Sequence, residues 1–201
     1  VKRYIVGICG ASGAVYGVTL LNELLRQPAE IHVIISADGE KVMQHELKYE
    51  GRLDAYLTSV RRHASHQAAR LREHDTCDFF APPASGSFKH DGMVIAPCSV
   101  KTLAALAAGL GGNLITRAAD ICLKERRPLV VVPRETPISA IHLENMLRLN
   151  RAGATILPAA PGFYFGPQRI QDLVDFIVAR ILVQLGIEQN LTGAWGDEIL
   201  V

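Results

Sequence analysis

Apolar runs alternate with amphipathic stretches along the whole chain. Residues 3–9 form a short apolar run that stops at Gly10, the mark of a buried strand. Over 14–26 the apolar positions Val15, Val18, Leu21, Leu24 and Leu25 recur at helical spacing. A second strand follows at Ile31–Ile35, then a helix over 38–49. Residues 51–76 are polar and basic, and their pattern predicts an amphipathic helix near 64–72. APPASGSF, 81–88, reads as a loop. Met93–Ala96 is a strand ending at Pro97-Cys98-Ser99, and helix follows over about 99–109. A Gly109–Gly112 break separates it from a helix over 114–125. Leu129–Val132 is a strand ending at Pro133-Arg134-Glu135. A helix over 139–151, a strand at 154–157, a loop at 158–168 and a helix over 169–185 complete the pattern. The tail, 186–201, carries the only tryptophan, Trp195. This alternation predicts a single α/β domain over 1–185, with an open, mainly parallel sheet and helices on both faces.

Composition narrows the class. With 201 residues, 49% hydrophobic and 20% charged, the chain suits one folded domain and not a disordered one. So high an apolar share fits a buried parallel sheet or contacts between subunits. A net charge of +1 gives no overall field for nucleic acid. Cys9, Cys77, Cys98 and Cys122 make no C-x-x-C pair, which suggests reduced thiols and a cytoplasmic setting. Cys9, Cys77 and Cys122 read as packing thiols, and Cys98 lacks an activating partner. Lys2-Arg3 ahead of an apolar run has the outline of a signal peptide, but the run ends too soon at Cys9. No apolar stretch is long enough for a membrane span.

Three predicted strand ends carry polar residues, and ligands of open α/β sheets sit at strand carboxyl ends. Gly10-Ala11-Ser12-Gly13 joins the first strand to a helix, a geometry that lets backbone approach an anion. No Gly-Lys-Ser/Thr follows, so it is not a P-loop. The glycine spacing is not G-x-G-x-x-G, and Ser36 stands where a dinucleotide fold would place an acid. A mononucleotide such as FMN therefore fits better than NAD. The second turn, Ser99-Val100-Lys101-Thr102, offers Ser99 as a helix cap. Arg117 and Lys124 lie seven apart on one helix and share a face. With Arg134 and Arg180, the latter set among Ile177, Val178, Ile181 and Leu182, they form a cationic set suited to a departing phosphate. Glu135 is the evident acid/base among them. Tyr164, in the loop PGFYFGP, could close over a flat or apolar ligand. His63 and His66 have no matching ligand set and read as surface residues.

The blocks GICGASGAVYG, APPASGS, APCSVKTLAALAAG, NLITRAADICLKERRPLVVVPRETP, IHLENMLRL and ILPAAPGFYFGP, in that order, resemble the UbiX-like flavin prenyltransferases. The resemblance implies a Rossmann-like domain assembled as a homododecamer. It implies transfer of a dimethylallyl group from dimethylallyl monophosphate to N5 and C6 of reduced FMN, without metal. The product, prenylated FMN, would serve a UbiD-type decarboxylase in ubiquinone synthesis or aromatic acid metabolism. Carried over, FMN would meet Gly10, Ala11, Ser12, Ser36, Ser99, Val100, Lys101, Thr102 and Arg134. Ser12 would sit beside the flavin N5 region. The prenyl phosphate would meet Lys124, Glu135, Tyr164 and Arg180, with Arg117 nearby and Trp195 near the site. Two alternatives stand beside this: a flavin-dependent decarboxylase of cysteine-containing substrates, and a non-catalytic FMN carrier.

Overall fold

A computed structural model describes residues 1–193, so Trp195 lies outside the described residues. Six strands form one sheet: β1 (Lys2–Ile8), β2 (Ala29–Ile35), β3 (Arg70–His74), β4 (Gly92–Cys98), β5 (Leu129–Pro133) and β6 (Thr155–Ile156). Their order is β3-β2-β1-β4-β5-β6, and every neighbouring pair is parallel. The chain starts at the centre, works outward to β3, then returns to β4 and builds the other half. The two halves diverge between β1 and β4, the topological switch point where such sheets bind ligands.

The helices are α1 (Ala14–Leu24), α2 (Ala37–Leu47), α3 (Leu53–Val60), α4 (Val100–Ala107), α5 (Leu114–Lys124), α6 (Ala140–Arg151) and α7 (Ile170–Gln184). Strand alternation divides the core in two. Tyr4, Val6, Ile8, Val94 and Ala96 face a cluster with α1 and α7. Ile5, Cys9, Met93, Ile95 and Val131 face one built by α4, α5 and Leu149 of α6. Leu20, Leu21 and Leu24 are fully buried, each contributing about 1.5–3 kcal/mol of transfer free energy. Gly17 is the close-approach point of α1: a Cβ there would lie 2.5 Å from the Ala96 carbonyl oxygen.

The stretch 51–76 departs from the expected helix near 64–72. Helix forms earlier, as α3, because Leu53, Tyr56, Leu57 and Val60 fall at helical spacing and Leu53 and Leu57 are buried. Arg70–His74 is instead the edge strand β3, paired with β2 on one side only. Its charges, Arg70, Arg72 and Glu73, are what an exposed sheet edge carries, and they imitate a polar helix face in sequence. The expected loop at 81–88 contains one short 3-10 turn, Pro82–Ala84.

Candidate functional site

Backbone bonds fasten the strand ends into a single rim. Ser36 N–H donates to Ile8 O at 2.9 Å, Cys9 N–H to Pro97 O at 3.1 Å, and Arg134 N–H to Cys98 O at 3.3 Å. The turns that follow β1, β2, β4 and β5 thereby stand side by side. Ser36 caps α2, its hydroxyl accepting from Gly39 N–H at 3.0 Å. Ser99 caps α4, accepting from Thr102 N–H at 3.3 Å and donating to Thr102 Oγ1 at 3.1 Å. Gly10 has no room for a side chain, since a Cβ would fall 2.4 Å from Asp38 Cβ. Arg134 reaches across from β5, donating its Nε–H to the Ser12 carbonyl at 3.0 Å.

Sequence reasoning missed Glu46, at the far end of α2. Its Oε2 accepts from Gly13 N–H at 2.9 Å and from Ala14 N–H at 3.1 Å. Burial pushes its carboxyl upward, but hydrogen bonds from the Ser12 hydroxyl and these two amides, with the Arg134 charge, hold it below its usual range. The N-terminus of α1 is therefore filled by the protein's own carboxylate. Nothing local signals this contact, because its partners lie 32 and 33 residues away. Tyr16 was also passed over. Burial raises its phenol, with Arg134 pulling the other way.

Beyond β5 the chain stays at the same rim, with Ala159 N–H donating to Pro133 O at 3.1 Å. Glu135 turns its carboxylate back on Thr136 N–H at 3.0 Å. Tyr164 packs edge-on against Phe165 and Phe176, with centroids 5.9 Å away in each case. Phe176 also lines a groove of about 280 Å³ with Leu157, Pro158, Ile177 and Arg180. Arg180 itself is exposed, because Ile177, Val178, Ile181 and Leu182 turn inward on the other side of α7. The expectation of an arginine embedded among apolar residues is corrected accordingly.

Arg117 and Lys124 do share a face, both against the loop after β3. Arg117 donates to Ala84 O at 3.3 Å and pairs with Asp120 at 3.2 Å. Lys124 pairs with Glu125 at 2.5 Å, and its Nζ would lie 3.0 Å from a Cβ at Gly86. Helix α5 ends near the amino edge of the sheet, where Pro128 O accepts from Met93 N–H at the start of β4. One chain therefore sets Lys124 away from Ser12 and Arg134, which lie at the carboxyl edge. Cys77 is exposed, not packed, while Cys9, Cys98 and Cys122 are buried. His66 is tied at the far end of α1, its N–H donating to Leu25 O at 2.8 Å.

A 3-2-1-4-5-6 sheet with serine-capped turns at its switch point defines a nucleotide-binding α/β protein. The family model described as Flavoprotein matches residues 1–182. Flavin prenyltransferase UbiX of Pseudomonas aeruginosa is 50% identical over 202 residues, covering 100% of this chain and 97% of its own length. The solved structure of AnUbiX in complex with FMN and dimethylallyl pyrophosphate superposes with a TM-score of 0.86 at 40% identity, over 96% of this chain and 97% of that one. A dodecameric FMN-dependent UbiX-like decarboxylase from Escherichia coli gives the same score and identity, over 96% and 99%. The chain belongs to the UbiX flavin prenyltransferase family of flavoproteins.

Proposed function

We propose that this protein transfers a dimethylallyl group from dimethylallyl monophosphate to reduced FMN, giving prenylated FMN and phosphate. One observation carries the reading: two serine-capped turns and Arg134 meet at the switch point, and a largely apolar groove that carries Arg180 lies at the β6 edge of the same sheet.

Gly10, Ala11, Ser12, Ser36, Ser99, Val100, Lys101, Thr102 and Arg134 would hold the flavin. They fit it, because the turns after β1, β2 and β4 stand side by side at the rim and the α4 N-terminus carries Lys101 and no acid in its first turn. That end suits the FMN phosphate better than its neighbours. The α1 amides are taken by Glu46, and α2 begins with Asp38 and Glu40. Reduced FMN, when bound, supplies the electron-rich N5 and C6 atoms that take the prenyl carbons. Ser12, held in Glu46's hydrogen-bond network, orients a hydroxyl at that edge. Arg180 and Tyr164 grip the donor's phosphate, and the apolar groove beside them takes its branched hydrocarbon. Cations aimed at a leaving phosphate stabilise it as the allylic C–O bond breaks, and exclusion of water strengthens the effect. Glu135 serves as the acid/base for proton transfer to or from that phosphate.

Helix α6 supports assembly into a homododecamer. It buries only Leu149 and leaves Ile141 68% and Leu147 49% exposed, an apolar face suited to further copies. Arg117 and Lys124 would then complete a neighbouring copy's site. The product is passed to a UbiD-type decarboxylase.

The test is anaerobic. Protein, reduced FMN and dimethylallyl monophosphate are mixed without added metal, and the flavin mass and free phosphate are read. A gain of one prenyl unit with equimolar phosphate is expected. Unmodified flavin that stays bound would overturn the reading in favour of a carrier.

A further inference from the structure

The two cofactor turns are each preceded by a buried cysteine, and the fold brings those cysteines together. Cys9 follows β1 and Cys98 closes β4, on neighbouring strands. Simple alternation along β4 would put Cys98 on the opposite face from Met93 and Ile95. The register shifts between Ile95 and Cys98, and this irregularity returns Cys98 to the face that Cys9 shares. Both are buried, at 1% and 0% exposure, in one cluster. Cys9 N–H donates to Pro97 O at 3.1 Å, which sets Cys9 beside the residue before Cys98, and the Cys98 thiol donates to Ser99 O at 3.5 Å. Adjacent strands lie about 4.8 Å apart, within the Cα separation that a disulfide spans.

We propose that Cys9 and Cys98 are a peroxide-sensitive dithiol whose closure to a disulfide draws the two cofactor turns together and weakens flavin binding. The consequence for flavin rests on the proposed role of those turns; the bond itself does not. Cys9 is the attacking sulfur. The neighbouring Cys98 side chain lowers its pKa against the effect of burial, with Thr102 adding to this, whereas Cys98, beside Cys9 and buried, is held as a thiol. The Cys9 thiolate takes one oxygen from hydrogen peroxide, giving a sulfenic acid and, after protonation, water. Cys98 sulfur then displaces the second water and the S–S bond forms. Two thiols and one peroxide thus give one disulfide and two waters. Closure brings the sulfurs to about 2.05 Å. It also alters the sulfur beside Thr102, which closes the Ser99 cap.

The measurement is peptide mapping of purified protein after hydrogen peroxide, with alkylation in denaturant, alongside FMN fluorescence titration of the reduced and oxidised forms. A link between the Cys9 and Cys98 peptides is expected, reversed by dithiothreitol, with Cys122 still alkylated. Affinity for FMN should fall several-fold on oxidation and return on reduction. Cys98→Ser should stop at a Cys9 sulfenic acid that dimedone traps. Cys9 and Cys98 remaining alkylable, or Cys9 passing to higher oxides without the link, would overturn the proposal. So would a disulfide that leaves FMN affinity unchanged. Failure of the reduced protein to bind FMN would count against the proposed function of the turns and leave the mapping result standing on its own.

Discussion

Arg134 donates its Nε–H to the backbone carbonyl of Ser12 at 3.0 Å, across 122 residues of sequence. The bond ties the end of β5 to the turn after β1 and leaves the rest of the guanidinium at the crevice. Arg134→Ala removes both the tie and the charge. FMN affinity should fall about tenfold, equivalent to roughly 1.4 kcal/mol. Arg134→Lys keeps charge without the planar fork and should fall between the two. Fluorescence titration with FMN checks this; equal affinity in all three would exclude Arg134 from the flavin site.

Glu46 closes the α1 N-terminus and accepts from the Ser12 hydroxyl. Its carboxyl is held below the usual value in the folded state, so its stabilisation is present above about pH 4.5 and lost as pH falls through the folded-state value. Glu46→Gln should cost about 1 kcal/mol near neutral pH, discounted for the exposure of the side chain. Prenylation should slow about tenfold while FMN affinity holds, because Ser12 loses its charged acceptor. Parallel urea melts and single-turnover rates separate the two effects.

Lys124 and Ser12 lie at opposite edges of one chain's sheet, so a site using both must draw them from different copies. Ser12→Ala and Lys124→Ala should each be impaired alone. Subunits of the two variants, mixed and reassembled, should regain activity in the fraction of sites that receive both native residues. Mixtures no more active than either parent would show that the two residues do not act across an interface.

Gly17 lets α1 lie against β4, with the Ala96 carbonyl where a methyl group would go. Gly17→Ala should destabilise the fold by roughly 1–3 kcal/mol, the scale of overpacking a filled core. A thermal melt of this variant at or above the wild-type midpoint would contradict the packing.

His32 is buried under Phe88, with its Nδ1 2.8 Å from His74 Nε2. Burial first, then His74, lowers its pKa to about 4, with Arg72 and Arg3 adding to this and Glu30 opposing it. The folded state therefore resists a proton that the unfolded chain accepts near pH 6.5. This neutral ring's stabilisation is full above about pH 6.5 and is lost as pH falls toward 4, by roughly 2 kcal/mol at pH 5. His32→Leu should flatten that part of the pH–stability curve in urea melts. An unchanged slope would assign the acid sensitivity to other groups.

The alternating plan and most of the residues at the strand ends are legible in short windows of the chain. Strand and helix periods are local, and so are serine caps, so Ser36, Ser99 and the Gly10–Ser12 turn stand out from short windows. The seven-residue spacing likewise placed Arg117 and Lys124 on one face, and both lie along the Ala84–Gly86 loop. Long-range packing sets Glu46 at the α1 N-terminus, leaves Arg180 exposed beside Phe176, and makes 70–74 an edge strand. It also decided that Cys98 shares a face with Cys9, through a register shift that strict alternation does not foresee. These outcomes depend on contacts across tens of residues and on which strand is left at an edge. Local propensity constrains such pairings weakly, because the same polar string satisfies an exposed helix face and an exposed strand.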